Sequence, residues 1–273
     1  MIKAEPTINL PPAHQQALQR AIMNLENQDF AARLADYAGR PISKALRLMP
    51  KAATDRFNKV VETAVLNSLN IAIRSIEPKS KRPPARRAAS VLAGLSGGVS
   101  GFFGIAALPI ELPVTTTLML RAIADIARHQ GEDLSTLEAR LACVEVFALG
   151  VPEAERNMGL SYYASRALIG RLAANATSVF VDRGVANLST PVVSSLVTEI
   201  ATRFGMVVTE RSAASALPVL GAVGGATVNV IFMNHFQRIA SGHFAIRRLE
   251  RQYGPTVVRQ LYNTHATRRR IGR

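Results

Sequence analysis

Residues 55–76 read DRFNKVVETAVLNSLNIAIRSI, and this stretch decides the fold class. Phe57, Val60, Val61, Ala64, Val65, Leu69, Ala72, Ile73 and Ile76 recur at intervals of three and four, the period that gathers apolar side chains on one face of an α-helix. Pro78 stops the pattern, because proline has no N–H to continue the ladder. Upstream, Pro11 and Pro12 open a short amphipathic helix over Ala13–Asn27, and Gly39, Arg40 and Pro41 end what precedes them. Downstream, Leu112–His129 reads as a helix with Pro113 in its first turn and Gly131 as its C-cap. Leu134–Leu149 follows, with Ser135 and Glu138 resembling a capping box and a loop at Gly150, Val151 and Pro152 closing it. Helical spacing returns in Leu160–Ala176, in Pro191–Arg211 and in a long helix from about Val219 through Arg251 that bends at its glycines. Strict alternation bounded by hairpin turns does not occur. The class is therefore all-α, a helical bundle.

Three divisions follow along the chain: an N-terminal helical region over 1–80, a helical domain over 81–253, and a basic tail over 254–273. The tail carries Arg259, Arg268, Arg269, Arg270 and Arg273 without an acid, and reads as frayed and solvated. The 33 Lys and Arg against 19 Asp and Glu give a net charge of +14, which favours anionic partners, either lipid head groups or nucleic acid. Aromatic residues make up 5% with no Trp, and none interleaves the basic runs, so base stacking is poorly provided for and nucleic acid is disfavoured. The lone Cys143 excludes an intramolecular disulfide. Glu5, Pro6, Pro11 and Pro12 interrupt the N-terminal stretch, which lacks the apolar core of a secretory signal. A cytosolic-side location is expected.

Two stretches set the chain apart from an ordinary bundle. Ala88–Ile110 runs without a charged side chain and is dotted with Gly94, Gly97, Gly98, Gly101 and Gly104. Ala213–Met233 is likewise uncharged throughout and holds Pro218, Gly221, Gly224 and Gly225. Gly94 with Gly98, Gly97 with Gly101, and Gly221 with Gly225 fall four apart, which aligns them on one helix face and lets a neighbouring helix approach closely. That spacing fits a lipid-embedded helix pair and the interior of a soluble bundle equally. Lys79, Lys81, Arg82, Arg86 and Arg87 precede the first stretch, and Arg238, Arg247, Arg248 and Arg251 follow the second. Cations so placed are expected at a membrane surface, putting the protein on the cytoplasmic side, peripheral to or embedded in the inner membrane.

The chemistry-bearing residues are sparse. His14, His129, His235, His243 and His265 include no i, i+4 pair, so no metal site is expected. Cys143, between Ala142 and Val144, reads as a buried structural thiol with nothing near it to lower its pKa. Gly94-Leu-Ser-Gly-Gly-Val-Ser-Gly101 lacks the Lys-Ser/Thr of a phosphate loop, and no Gly-x-Ser-x-Gly is present, so neither a nucleotide nor another cofactor is implied. Tyr162 and Arg166 lie one turn apart and read as a helix-surface contact. Thr117, Arg121, Asp125 and Arg128 line one stripe, where Arg121 can pair with Asp125. Glu111 sits in an apolar context between Pro109 and Pro113, and a buried carboxylate there must be paired, with Arg121 or with the first turn of the following helix. Glu111, Arg121 and Asp125 are accordingly the candidate binding residues.

Gly94–Gly104, then Leu108-Pro-Ile-Glu-Leu-Pro113, then Met119-Leu-Arg-Ala-Ile-Ala-Asp-Ile-Ala127, then Gly131-Glu-Asp133, resemble the central signature of the EcsC family of bacterial proteins. Leu217-Pro-Val-Leu-Gly-Ala-Val-Gly-Gly225 with Asn229 is similar to the family's C-terminal Gly-rich segment. The resemblance covers Ala88–Phe244 and leaves the N-terminal region over 1–80 unmatched; its departure is Glu111 where Asp is the more usual acid. The resemblance implies a protein with no established reaction, cofactor or functional residue, from a family named after a protein encoded beside an ABC transporter. The expected function is that of a non-enzymatic, membrane-associated helical protein that binds anionic lipid or a membrane complex such as an ABC transporter. The alternative is a hydrolase-type enzyme whose site is assembled from Glu111, Arg121, Asp125, Tyr162 and His235.

Overall fold

The protein's structure, a computed structural model, describes residues 10–26, 30, 33–34, 51–75, 108–150, 162–183, 190–215 and 221–271. Among the described residues the chain forms eight helices and no strand: α1 (Pro12–Glu26), α2 (Lys51–Ser75), α3 (Leu108–His129), α4 (Leu137–Leu149), α5 (Tyr162–Arg183), α6 (Pro191–Ser215), α7 (Gly221–Tyr253) and α8 (Pro255–Ile271). The all-α reading holds. Lys79–Arg87, Gly94, Gly98 and Gly101 lie outside the described residues, as do the surroundings of Gly221 and Gly225 at the start of α7.

α4 is the axle of the bundle. Every residue from Leu141 to Leu149 is buried, and the helix touches α2, α3, α5, α6 and α7. A helix apolar on all sides is stable only where neighbours cover all sides. Its N-cap is Thr136, whose hydroxyl accepts from the Ala139 N–H at 3.3 Å. The expected Ser135–Glu138 box does not form, because Ser135 is used in a turn, its N–H donating to Asp133 Oδ1 at 3.0 Å. The cap thus falls one residue later, and the position three beyond it is Ala139, which cannot reciprocate.

Around α4 an aromatic cluster fills the core. The Phe147 ring meets Phe204 at 5.0 Å and Phe236 at 5.7 Å between centroids, and Phe232 meets Phe236 at 5.2 Å, mostly in tilted or edge-on arrangements that suit ring quadrupoles. The end of α4 runs against this cluster through Gly150, where an added Cβ would lie 2.9 Å from both Ile239 and Phe236. α1 crosses α7 at Gly242 in the same manner: a Cβ there would sit 2.7 Å from Leu25 Cγ and 3.0 Å from the Ala21 carbonyl oxygen.

Two expectations change. α3 begins at Leu108, so Pro113 lies inside the helix instead of in its first turn. The segment after Tyr253 is not a frayed tail, since Gly254 adopts φ +88°, Pro255 opens α8, and Val258 and Tyr262 are buried against the bundle. Tyr262 donates its hydroxyl to Glu26 Oε1 at 2.6 Å, tying α8 to α1. Of the second uncharged stretch, Val228, Asn229, Phe232 and Met233 are buried, while Ala226, Thr227, Val230 and Ile231 are half-buried. Among the described residues one helical segment, Pro191–Ser212, is long and apolar enough to cross a membrane, with mean hydropathy 1.3; half of it is buried in the bundle, where Leu196, Val197, Ile200 and Phe204 serve the core.

Candidate functional site: an ionic cluster and the cleft beside it

Glu111 is buried, and its partner is Arg211 of α6, not Arg121. Arg121 is exposed, and Asp125 pairs with Arg128 one turn along α3. Tyr162 bonds His243 Nδ1 through its hydroxyl at 2.9 Å, and His235 Nε2 lies 3.2 Å from the Gly150 carbonyl oxygen. Glu111, Asp125, Tyr162 and His235 are each held by a different partner, and none of these contacts joins the five residues named for the hydrolase alternative, Arg121 included, into one hydrogen-bonded set.

The structure concentrates charge elsewhere. α3 ends in a Schellman motif: the Glu132 N–H donates to the Ala127 carbonyl and the Gly131 N–H to that of Arg128, with Gly131 at φ +79°, a left-handed conformation that glycine adopts without strain. This turn carries Glu132 inward. Arg247 of α7 grips it with two bonds, Nε to Oε1 at 2.9 Å and Nη2 to Oε2 at 3.0 Å, and Arg251 one turn on donates to the same carboxylate. Burial alone would raise the Glu132 pKa, but the bonds and charges of Arg247 and Arg251 outweigh it and hold the carboxyl below its ordinary range. Arg247 also reaches Glu138 at 3.3 Å, and Arg251 reaches the Gln130 carbonyl at 2.5 Å. These two arginines, expected among the membrane-surface cations, are thus bound by acids of their own chain, while Arg248 between them is half-buried.

A parallel pair lies across the groove. Arg166 of α5 forks onto Glu250 of α7 at 2.8 and 2.7 Å, and Tyr163 donates to the same carboxylate at 3.0 Å. Arg166 also contacts Tyr162 at 3.4 Å, so the helix-surface contact exists but the guanidinium's main partner is Glu250. The Tyr162 and Tyr163 hydroxyls are pushed above the ordinary tyrosine range, chiefly by burial. His243 is held neutral, first by burial and then by the charges of Arg166 and Arg247. Cys143 is buried as expected, its thiol 3.4 Å from the Ala139 carbonyl and its pKa raised by burial.

Between the two ion pairs, α4, α5 and α7 leave a cleft of about 210 Å³. Glu145 of α4 lines it, together with Glu138, Arg166, Arg247, Thr177 and the small residues Gly170, Ala173 and Ala174 of α5. Glu145 is 7% exposed, and among the described residues it has no hydrogen bond or ion pair. Burial raises its pKa to about 7; Arg247 and Arg166 act against that rise, and Glu138 adds to it. Sequence reasoning passed over Glu132 and Glu145. The available signal for Glu145 was its position as the lone charge in the apolar run Leu141–Leu149. For Glu132 it was the place in the Gly131-Glu-Asp133 element of the family resemblance, after a helix-ending glycine; nothing local marked its arginine partners, 115 and 119 residues away.

Residues 10–249 match the sequence model of the EcsC protein family. The chain belongs to the EcsC family. The match starts well before Ala88, so α1 and α2, set apart by the sequence reading, fall within the region that defines the family. Packing agrees, since α1 lies on α7, and α2 on α3, α4 and α6. In this EcsC-family chain the Gly131-Glu132-Asp133 element of the resemblance is the turn that delivers Glu132 to Arg247 and Arg251. No curated protein and no solved structure matches the sequence.

Proposed function

We propose that this EcsC-family protein is a non-enzymatic, membrane-associated helical protein. It engages anionic lipid or a membrane complex on the cytoplasmic side of the inner membrane, an ABC transporter being the partner class that the family resemblance suggests. The observation that carries this reading is the start of α3, where Ile110 is 79% exposed and Val114 is 49% exposed. The two are four residues apart and share a helix face with exposed Arg121, seven residues beyond Val114. An apolar end leading to a cation along one stripe is the pattern of a helix seated at a lipid interface. Ile110 also closes the uncharged stretch that starts at Ala88, so this face continues a run of sequence without charge.

Flotation with vesicles containing anionic lipid tests the reading. The full chain is expected to float with them, and Ile110→Ser combined with Val114→Ser to reduce the floated fraction severalfold; added salt releases a contact made by charge alone, because exposed charges are screened beyond a Debye length. Recovery of the wild-type chain entirely in the soluble fraction, from vesicles at low salt and from cell extracts alike, overturns it.

A further inference from the structure

The cleft between α4, α5 and α7 is lined by a buried carboxylate, Glu145, that no hydrogen bond or ion pair engages among the described residues. Around it stand Arg166, Arg247 and Arg251 with Glu132, Glu138 and Glu250, and Arg259 lies over the Tyr163 ring. Arg166 is engaged by Glu250, and Arg247 and Arg251 by Glu132, with Glu138 a further partner of Arg247. Glu145 is left over. A buried carboxylate without a partner is stabilised by a counter-charge or by a proton, and the nearby cations are already committed. The cleft has room for such a counter-charge: the α5 wall opposite is Gly170, Ala173 and Ala174, and a Cβ added at Gly170 would meet nothing within 4 Å.

The chemistry of the lining selects the kind of cation. Among the described residues no group of three His, Cys, Asp or Glu is arranged to hold a metal ion. Acceptors for N–H donors are present instead. Thr177 gives its hydroxyl hydrogen to the Ala173 carbonyl at 2.9 Å and keeps its oxygen lone pairs, and Glu138 stands at the mouth with its side chain 78% exposed. An ammonium has three N–H donors and one positive charge. At about 210 Å³ the space is smaller than a drug-sized site, which fits a ligand of few heavy atoms.

We propose that this cleft binds a small primary amine, with the ammonium on the buried Glu145 carboxylate and with Thr177 and Glu138 as further acceptors. Binding is a charge neutralisation and involves no covalent step.

Ethanolamine is the probe, with tetramethylammonium, which has the same charge and no N–H donor, as comparator. Measured on the full chain above about pH 8, where Glu145 is ionised, ethanolamine well above its Kd is expected to raise Tm by roughly 2–4 °C or more. Tetramethylammonium is expected to leave it unchanged. Glu145→Gln removes the charge with little change of shape and abolishes the ethanolamine effect; Gly170→Leu fills the open space and abolishes it while Glu145 remains. Carbon NMR of the Glu145 carboxyl gives an independent reading, in which ethanolamine lowers its titration midpoint saturably. Equal stabilisation by both cations, an ethanolamine effect that survives in Glu145→Gln, or a Glu145 midpoint that ethanolamine does not move would overturn the proposal.

Discussion

Glu145 and Glu132 show how one residue type takes opposite states in one cluster. Both are buried, yet Glu132 meets two guanidinium groups and its pKa falls, whereas Glu145 meets no hydrogen-bond donor and its pKa rises to about 7. A folded-state pKa raised from 4.5 makes the protonated form the stable one, so this contribution to stability is complete below about pH 4.5 and is lost as pH rises through about 7. A shift of this size corresponds to about 3 kcal/mol. Glu145→Gln is therefore expected to unfold at a higher temperature than the wild type at about pH 8 and at nearly the same temperature at about pH 5, checked by thermal melts at both. Glu132→Gln is expected to do the reverse of stabilising: it leaves Arg247 and Arg251 without their shared charge and costs about 3 kcal/mol or more, read as a lower denaturant midpoint with unchanged slope. At this scale the sequence supplied half of each contact. The apolar setting of Glu111 announced a buried acid, but its partner Arg211 lies 100 residues away, and no local pattern marks a pairing made by tertiary packing.

Helices were legible in proportion to their periodicity. α2, with apolar residues at three and four, was expected over Asp55–Ile76 and spans Lys51–Ser75. α8 was missed because its arginine-rich composition resembled a solvated tail, although Val258 and Tyr262, four apart and both buried, carried the helical signal. Gly254 reverses the chain at positive φ and Pro255 restarts the helix, so a segment that reads as an ending is a corner. Removing residues 255–273 is expected to lower Tm by several degrees and to increase proteolysis of α1, since Tyr262 holds Glu26. The α1–α7 crossing gives a sharper test. Gly242→Val places a branched side chain where even a Cβ comes within 3.0 Å of the Ala21 backbone carbonyl, so the helices must separate. The expected cost is about 1–3 kcal/mol, with protection from hydrogen exchange lost selectively along α1.

For the whole molecule, the buried Glu145 and His243 and the half-buried Glu210 set the pH at which the bundle is expected to be most stable. Glu145 and Glu210 both have folded pKa values raised to about 7, so each withdraws stability as pH rises from about 4.5 to 7. His243, held well below its ordinary value, acts in the opposite sense: its contribution is complete above about pH 6.5 and is lost as pH falls, because the unfolded imidazole takes up a proton that the buried one refuses. Between about pH 4.5 and 6.5 two groups favour the acid side and one opposes, which leaves a net gain of one proton's worth on acidification. Below about pH 4.5 the carboxylate gains end, and Glu132, whose depressed pKa stabilises the fold only while it is ionised, joins His243 in destabilising it. Self-repulsion of a chain with net charge +14 grows in the same direction. The stability maximum is therefore expected near pH 5, on the acid side of neutrality, as measured by chemical denaturation across the range. Replacing Glu145 and Glu210 together with Gln removes the two opposing carboxylates and leaves His243 in control, so the maximum should move to above about pH 6.5. A wild-type maximum already above that pH would mean that neither carboxyl keeps its proton in the folded protein.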